Sequence, residues 1–127
     1  MLSFDEFAAI AEEETAALPS YVYDELNGGV VVDPNACLHP ARLEDDLYIL
    51  GTYSNSPVMG KQIILYYGSF TASLRNAGES VYREQIREPI RHEFRHHLET
   101  RAGLFGAGTL VEEDNEKMLT YFMRHAR

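Results

Sequence analysis

The chain alternates between two hydrophobic rhythms. Ser3 is a good helix N-cap and Glu6, three positions on, completes a capping box. Phe4, Phe7, Ile10 and Ala11 follow at helical spacing, predicting a first helix that ends before Pro19. Residues 21–27 predict a short second helix, closed by a turn at Gly28-Gly29. The period then changes. Val30, Val31 and Val32 form a β-branched run halted by Asp33-Pro34. Residues 47–53 and 62–67 predict two more strands, and the Ser-, Asn-, Pro- and Gly-containing stretch 54–60 predicts a hairpin between them. Residues 71–76 predict a short helix or turn. Ile86, Ile90, Phe94 and Leu98 then recur every fourth residue, one apolar stripe on a long helix that Gly103 should stop. Pro89 is awkward inside it, and predicts a kink in a helix starting near Ser80 or a break with a shorter helix beginning at the proline. Residues 113–125 predict a last helix, with Met118, Leu119, Phe122 and Met123 as its apolar face. The order is helix, about three strands, then helices: an α+β domain.

Composition narrows the picture. The 127 residues suffice for one domain, 1–127, with a real core, and 45% hydrophobic content indicates a folded chain. A net charge of −9 argues against a nucleic-acid partner. The lone Cys37 excludes an internal disulfide and suits a reducing compartment. The N-terminus carries early acids and no long apolar core, so no signal peptide is expected. No apolar run is long enough for a bilayer. These features lead to the expectation of a soluble cytoplasmic protein with no membrane partner.

The sharpest chemistry lies on the long helix. His92-Glu93-Phe94-Arg95-His96-His97 reads H-E-x-x-H. One helical turn separates His92 from His96, so two imidazoles can converge on one metal ion, and Glu93 can take a proton from a water held there. On a helical wheel His92, His96 and Glu99 cluster away from the apolar stripe, with Glu93 between the two groups. Arg91, Arg95 and Glu88 fall toward solvent.

IILYYGSF, then a charged helix ending IRHEFRHHLETRAG, then an acidic LVEED, resembles the small bacterial zincin-like metallopeptidases, minimal zincins with an H-E-x-x-H-H motif. The resemblance covers most of the chain, including the FDEF opening. It implies a minimal zincin-like fold: a small mixed sheet of about three strands packed on helices that include the motif helix. It also implies a Zn2+ cofactor, a peptide or protein substrate, and peptide-bond hydrolysis with Glu93 as general base. In the better-known branch a later Asp supplies the third ligand. The corresponding position, ten residues after His92, is Ala102, so this chain resembles a variant branch.

The third ligand has two sources. Glu99 lies on the metal face but about 10 Å along the axis from His92, so it is better cast as a group that orients a ligand histidine. The acidic run Glu112-Glu113-Asp114 can be brought back by the glycine-containing turn at 104–108. Asp114 is the preferred ligand and Glu113 the next. The plain alternative is that these acids cap the following helix.

Other candidates have plain explanations too. His97 falls near the apolar stripe, as a hydrogen-bonded core histidine would. Tyr66 and Tyr67 could bring a phenol to a reacting carbonyl, but strand aromatics usually pack. Cys37 and His39 lie in a Pro-flanked loop and read as incidental. Arg95 should be solvated or paired with Glu99 or Glu88, and His125 suits a helix C-terminus.

In zincins generally the substrate lies extended on an edge strand beside the active helix. By resemblance that strand would be near 62–67, paired through backbone groups. A second hypothesis is a degenerate zincin-like module that binds metal or a partner without hydrolysis. A third, the weakest, is that HEFRHH is accidental.

Overall fold

The structure is a computed structural model and describes residues 2–44, 46–103 and 110–124. Its elements are α1 (Phe4–Ala16), a 3-10 turn (Ser20–Tyr23), β1 (Gly29–Asp33), β2 (Gly51–Ser56), β3 (Gly60–Tyr66), α2 (Tyr67–Leu74), α3 (Glu79–Ala102) and α4 (Leu110–Arg124). The α+β expectation holds. The 104–108 turn, the Glu112 side chain and His125 lie outside the described residues.

The local signals explain most of these elements. The capping box on α1 is formed: the Ser3 hydroxyl accepts from the Glu6 N–H, and the Glu6 carboxylate accepts from the Ser3 N–H. Residues 21–27 make only the short 3-10 turn at Ser20–Tyr23 and then leave the helical path before β1. The 47–53 strand starts later than its pattern suggests, at Gly51, and runs on to Ser56. Residues 47–49 are drawn elsewhere: Leu47 C=O accepts from His39 N–H and Ile49 N–H donates to Cys37 C=O. The β2–β3 hairpin closes tightly, with Ser56 opposite Gly60. Gly60 has φ +75°, which glycine adopts without cost, and the Ser56 hydroxyl accepts from the N–H groups of Val58 and Met59.

The sheet order is β1-β3-β2, with β1 parallel and β2 antiparallel to the central β3. Ile63 and Leu65 point from β3 to one face, where they meet Phe7 and Ile10 of α1, Phe70 of α2, and Tyr82, Ile86, Ile90 and Phe94 of α3. This core sets α3 across the sheet. Pro89 neither ends nor restarts that helix, which is continuous from Glu79 to Ala102 with Pro89 buried inside it. The apolar surface buried on both sides of the proline outweighs its missing N–H.

α1 and α3 are also joined by charge. Arg87 donates to both carboxylate oxygens of Glu14 at 3.0 Å, and Arg83 lies 3.5 Å from the same carboxylate. Hydrogen bonding from Arg87 holds the Glu14 carboxyl below its usual range. A lowered folded-state pKa stabilises above the unfolded value and is lost as pH falls. Glu14→Gln should therefore cost about 1 kcal/mol at pH 7, since Arg87 is partly solvated. In thermal melts the gap from the parent chain should close as pH drops below about 4.

Candidate metal centre

α3 carries the H-E-x-x-H residues at the edge of its core stripe. His92 and His96 are half-buried and their ring centroids lie 5.0 Å apart. α4 brings Asp114 between them. Its Oδ1 is 3.2 Å from His92 Nε2 and its Oδ2 is 2.8 Å from His96 Nε2. The three residues each offer a ligand atom, all within 4.8 Å of one another. Three donors about 2.0–2.1 Å from a tetrahedral ion sit roughly 3.3 Å apart, so two nitrogens and a carboxylate here suit zinc in size and chemistry.

The other acids are drawn to arginine. Glu99 accepts from Arg95 Nε at 2.8 Å, and Glu113 lies 3.2 Å from Arg95 Nη1. Arg95 thereby ties α4 to α3 and leaves Asp114, one residue on, facing the histidines. α4 begins at Leu110, so Asp114 lies inside the helix and is not its cap.

The expected apolar face of α4 is a correction. Leu119 and Met123 are 60% and 68% exposed, whereas Tyr121 is buried. Polar contacts choose the inward face: besides Asp114 and Glu113, the Tyr121 hydroxyl donates to Asp46 Oδ1 and accepts from Leu43 N–H, both at 2.9 Å.

Asp114, Lys117, Met118 and Tyr121 of α4 share a cleft of about 460 Å³ with His92, Glu93 and His96. Its other walls are Leu47, Ile49 and His39, and Gly51 to Tyr53 of β2. Glu93 is 7% exposed, and burial, with a smaller push from the Asp114 charge, raises its carboxyl to about 8. A nearby divalent cation would oppose both effects and favour the carboxylate.

The predicted substrate strand is corrected as well. Residues 62–66 belong to β3, which is hydrogen-bonded on both sides, so β2 is the edge strand at the cleft. Tyr66 N–H donates to Leu50 C=O, which fixes the alternation. Backbone groups of Gly51, Tyr53 and Asn55 therefore point to the open edge.

His97 is fully buried, as its place beside the stripe suggests. Its Nε2 lies 2.6 Å from the Asp24 carbonyl, which can only accept, so Nε2 carries the hydrogen and Nδ1 takes the Tyr53 hydroxyl at 2.8 Å. This relay braces β2 against α3. Tyr53→Phe should strand a buried nitrogen and cost about 1–3 kcal/mol, read as a lower melting temperature. Tyr67 donates to the Leu2 carbonyl and the Tyr66 hydroxyl lies 3.4 Å from Thr52 Oγ1; neither tyrosine is among the residues that line the cleft. Cys37 is a free thiol whose backbone N–H donates to Ser69 Oγ. The feature that sequence reasoning missed is the cleft wall at 37–49. Its signal is long-range backbone pairing, which no local pattern announces.

A solved structure of a conserved hypothetical protein from Thermo thermophilus is 32% identical to this chain, with a TM-score of 0.63. The match covers 80% of this chain and 98% of that one. This chain belongs to the family of that protein. No family model matches, and no curated protein matches. Among the described residues, no helix is long and apolar enough to cross a membrane.

Proposed function

We propose that this protein is a zinc-dependent metallopeptidase of minimal zincin-like fold, with His92, His96 and Asp114 as metal ligands and Glu93 as general base. The observation that carries the reading is the meeting of Asp114, from a separate helix, with both motif histidines at 3.2 and 2.8 Å. Among the described residues the cluster has three members, so a tetrahedral ion there keeps a position for water. That openness supports an enzyme over a closed, non-hydrolytic metal module.

When bound, zinc would acidify a water and polarise a carbonyl. This chain's own residues do the rest. The outward-facing backbone groups of Gly51, Tyr53 and Asn55 can pair with an extended peptide along β2. Glu93, shielded from bulk water, takes the proton of the attacking water and delivers it to the leaving amine. Arg95 holds α4, and with it Asp114, against α3. The Tyr53–His97–Asp24 relay keeps the edge strand at a fixed height above the helix.

The test is hydrolysis of a mixed quenched-fluorescent peptide library by zinc-loaded protein, by chelated protein and by the Glu93→Gln variant. Cleavage in the first alone supports the proposal. Cleavage that survives Glu93→Gln, or none in any sample, contradicts it.

A further inference from the structure

We propose that His39 is a catalytic hydrogen-bond donor of this cleft, offering Nε2–H to the oxyanion that develops on an attacked peptide carbonyl. The inference rests on the peptidase reading and adds a residue to it.

His39 lines the same cleft as Glu93 and the two motif histidines. It is not part of the cluster whose ligand atoms lie within 4.8 Å of one another, which argues against a fourth ligand. Its chemistry is set by one local contact. Ala41 N–H donates to His39 Nδ1 at 3.0 Å. A ring nitrogen that accepts carries no hydrogen, so the neutral ring places its hydrogen on Nε2. Among the described residues, no group accepts from that nitrogen.

The ring is also rigidly carried. His39 N–H donates to Leu47 C=O at 2.9 Å, and His39 C=O accepts from Arg42 N–H at 3.1 Å and from its Nη1 at 3.3 Å. Tyr121 fastens the same segment to α4 through Leu43 and Asp46. A donor fixed before reaction needs no reorganisation as charge develops, which is the condition for strong oxyanion stabilisation.

The competing donors in the cleft are engaged or poorly suited. The Tyr53 hydroxyl serves His97, the Tyr121 hydroxyl serves Asp46, and the Thr52 hydroxyl lies 3.4 Å from the Tyr66 hydroxyl. Lys117 is exposed and ends a flexible four-carbon stem, a less defined donor than a pinned imidazole. His39 makes a hydrogen bond only, and no proton is transferred.

The experiment has two arms. In metal-free protein, long-range 15N–1H spectra of the imidazoles should show His39 with hydrogen on Nε2; hydrogen on Nδ1 overturns the proposal. In zinc-loaded protein, calorimetry compares an N-phosphonoleucyl dipeptide, whose phosphoryl oxygens imitate the oxyanion, with acetohydroxamate, which needs only the metal. His39→Ala and His39→Phe should each weaken the phosphonyl peptide at least tenfold, leaving acetohydroxamate and zinc stoichiometry unchanged. Equal loss of both ligands indicates a structural role and overturns the proposal. So does an unchanged phosphonyl affinity; if Lys117→Ala weakens it instead, the donor is Lys117. Failure of the parent chain to bind zinc sinks the peptidase reading itself. Zinc and acetohydroxamate binding without the His39 effect sinks this inference alone.

Discussion

His96→Ala is expected to lower zinc affinity at least 100-fold, whereas Glu93→Gln should leave it within a few-fold of the parent. The site is built by two side chains one turn apart on α3 and a carboxylate delivered by α4. Removing one ligand leaves a His–Asp pair too few to hold a tetrahedral ion. The loss should exceed the 10–100-fold typical of residues that merely orient ligands. Glu93 lies in the cleft but outside the ligand cluster, so its amide variant should keep the metal and lose only the proposed base. The same metal should stabilise the fold. Zinc at 100 times its Kd adds about 2.7 kcal/mol, a rise of roughly 10 °C in Tm for a chain of this size. Melting curves with and without zinc on the parent, His96→Ala and Glu93→Gln chains check all of this. A zinc-induced rise in His96→Ala equal to the parent's would place the ion elsewhere.

The largest effect on stability should come from a position far from the chemistry. Gly68, in the first turn of α2, lies under the 34–37 segment. Its N–H donates to Asn35 C=O at 3.2 Å. A Cβ placed there would meet Ala36 N at 2.3 Å and Asn35 C at 2.6 Å. These are backbone atoms with no side-chain freedom to retreat. Gly68→Ala should therefore cost about 3 kcal/mol or more, at the upper end of overpacking, and force the 34–37 segment off α2. Denaturant unfolding measures it. A loss below about 1 kcal/mol would mean that this segment is not packed against α2 as described.

Ser3, Glu6 and the residues of the α1 and α3 stripes made both helices legible in the sequence because their signals are local. Val30–Val32 gave β1 by the same logic. The motif histidines also declared themselves, since a helix alone aligns positions one turn apart. Asp114 is the preferred third ligand in the sequence, but on motif logic alone, with Glu113 and Glu99 beside it. What singles it out is Arg95, which draws Glu113 and Glu99 to itself, and such pairing depends on the tertiary approach of α4. The strand at 47–53 was misplaced for a similar reason. Its apolar pattern is genuine, but residues 47–49 pair with Cys37 and His39, and the sheet takes over only at Gly51. Which strand forms the sheet edge follows from β1-β3-β2 order, a property of topology that strand patterns do not encode. On α4 the apolar stripe misled because hydrogen bonds from Tyr121 and the Asp114 contacts fixed the inward face.

The most direct test is diffraction from crystals of the zinc-loaded protein, with anomalous data collected at the zinc edge. The account predicts one peak per chain at about 2.0–2.2 Å from His92 Nε2, His96 Nε2 and an Asp114 oxygen, with one side open to the cleft that holds Glu93. No peak at those residues, or a peak closed off by a fourth protein ligand, would contradict it.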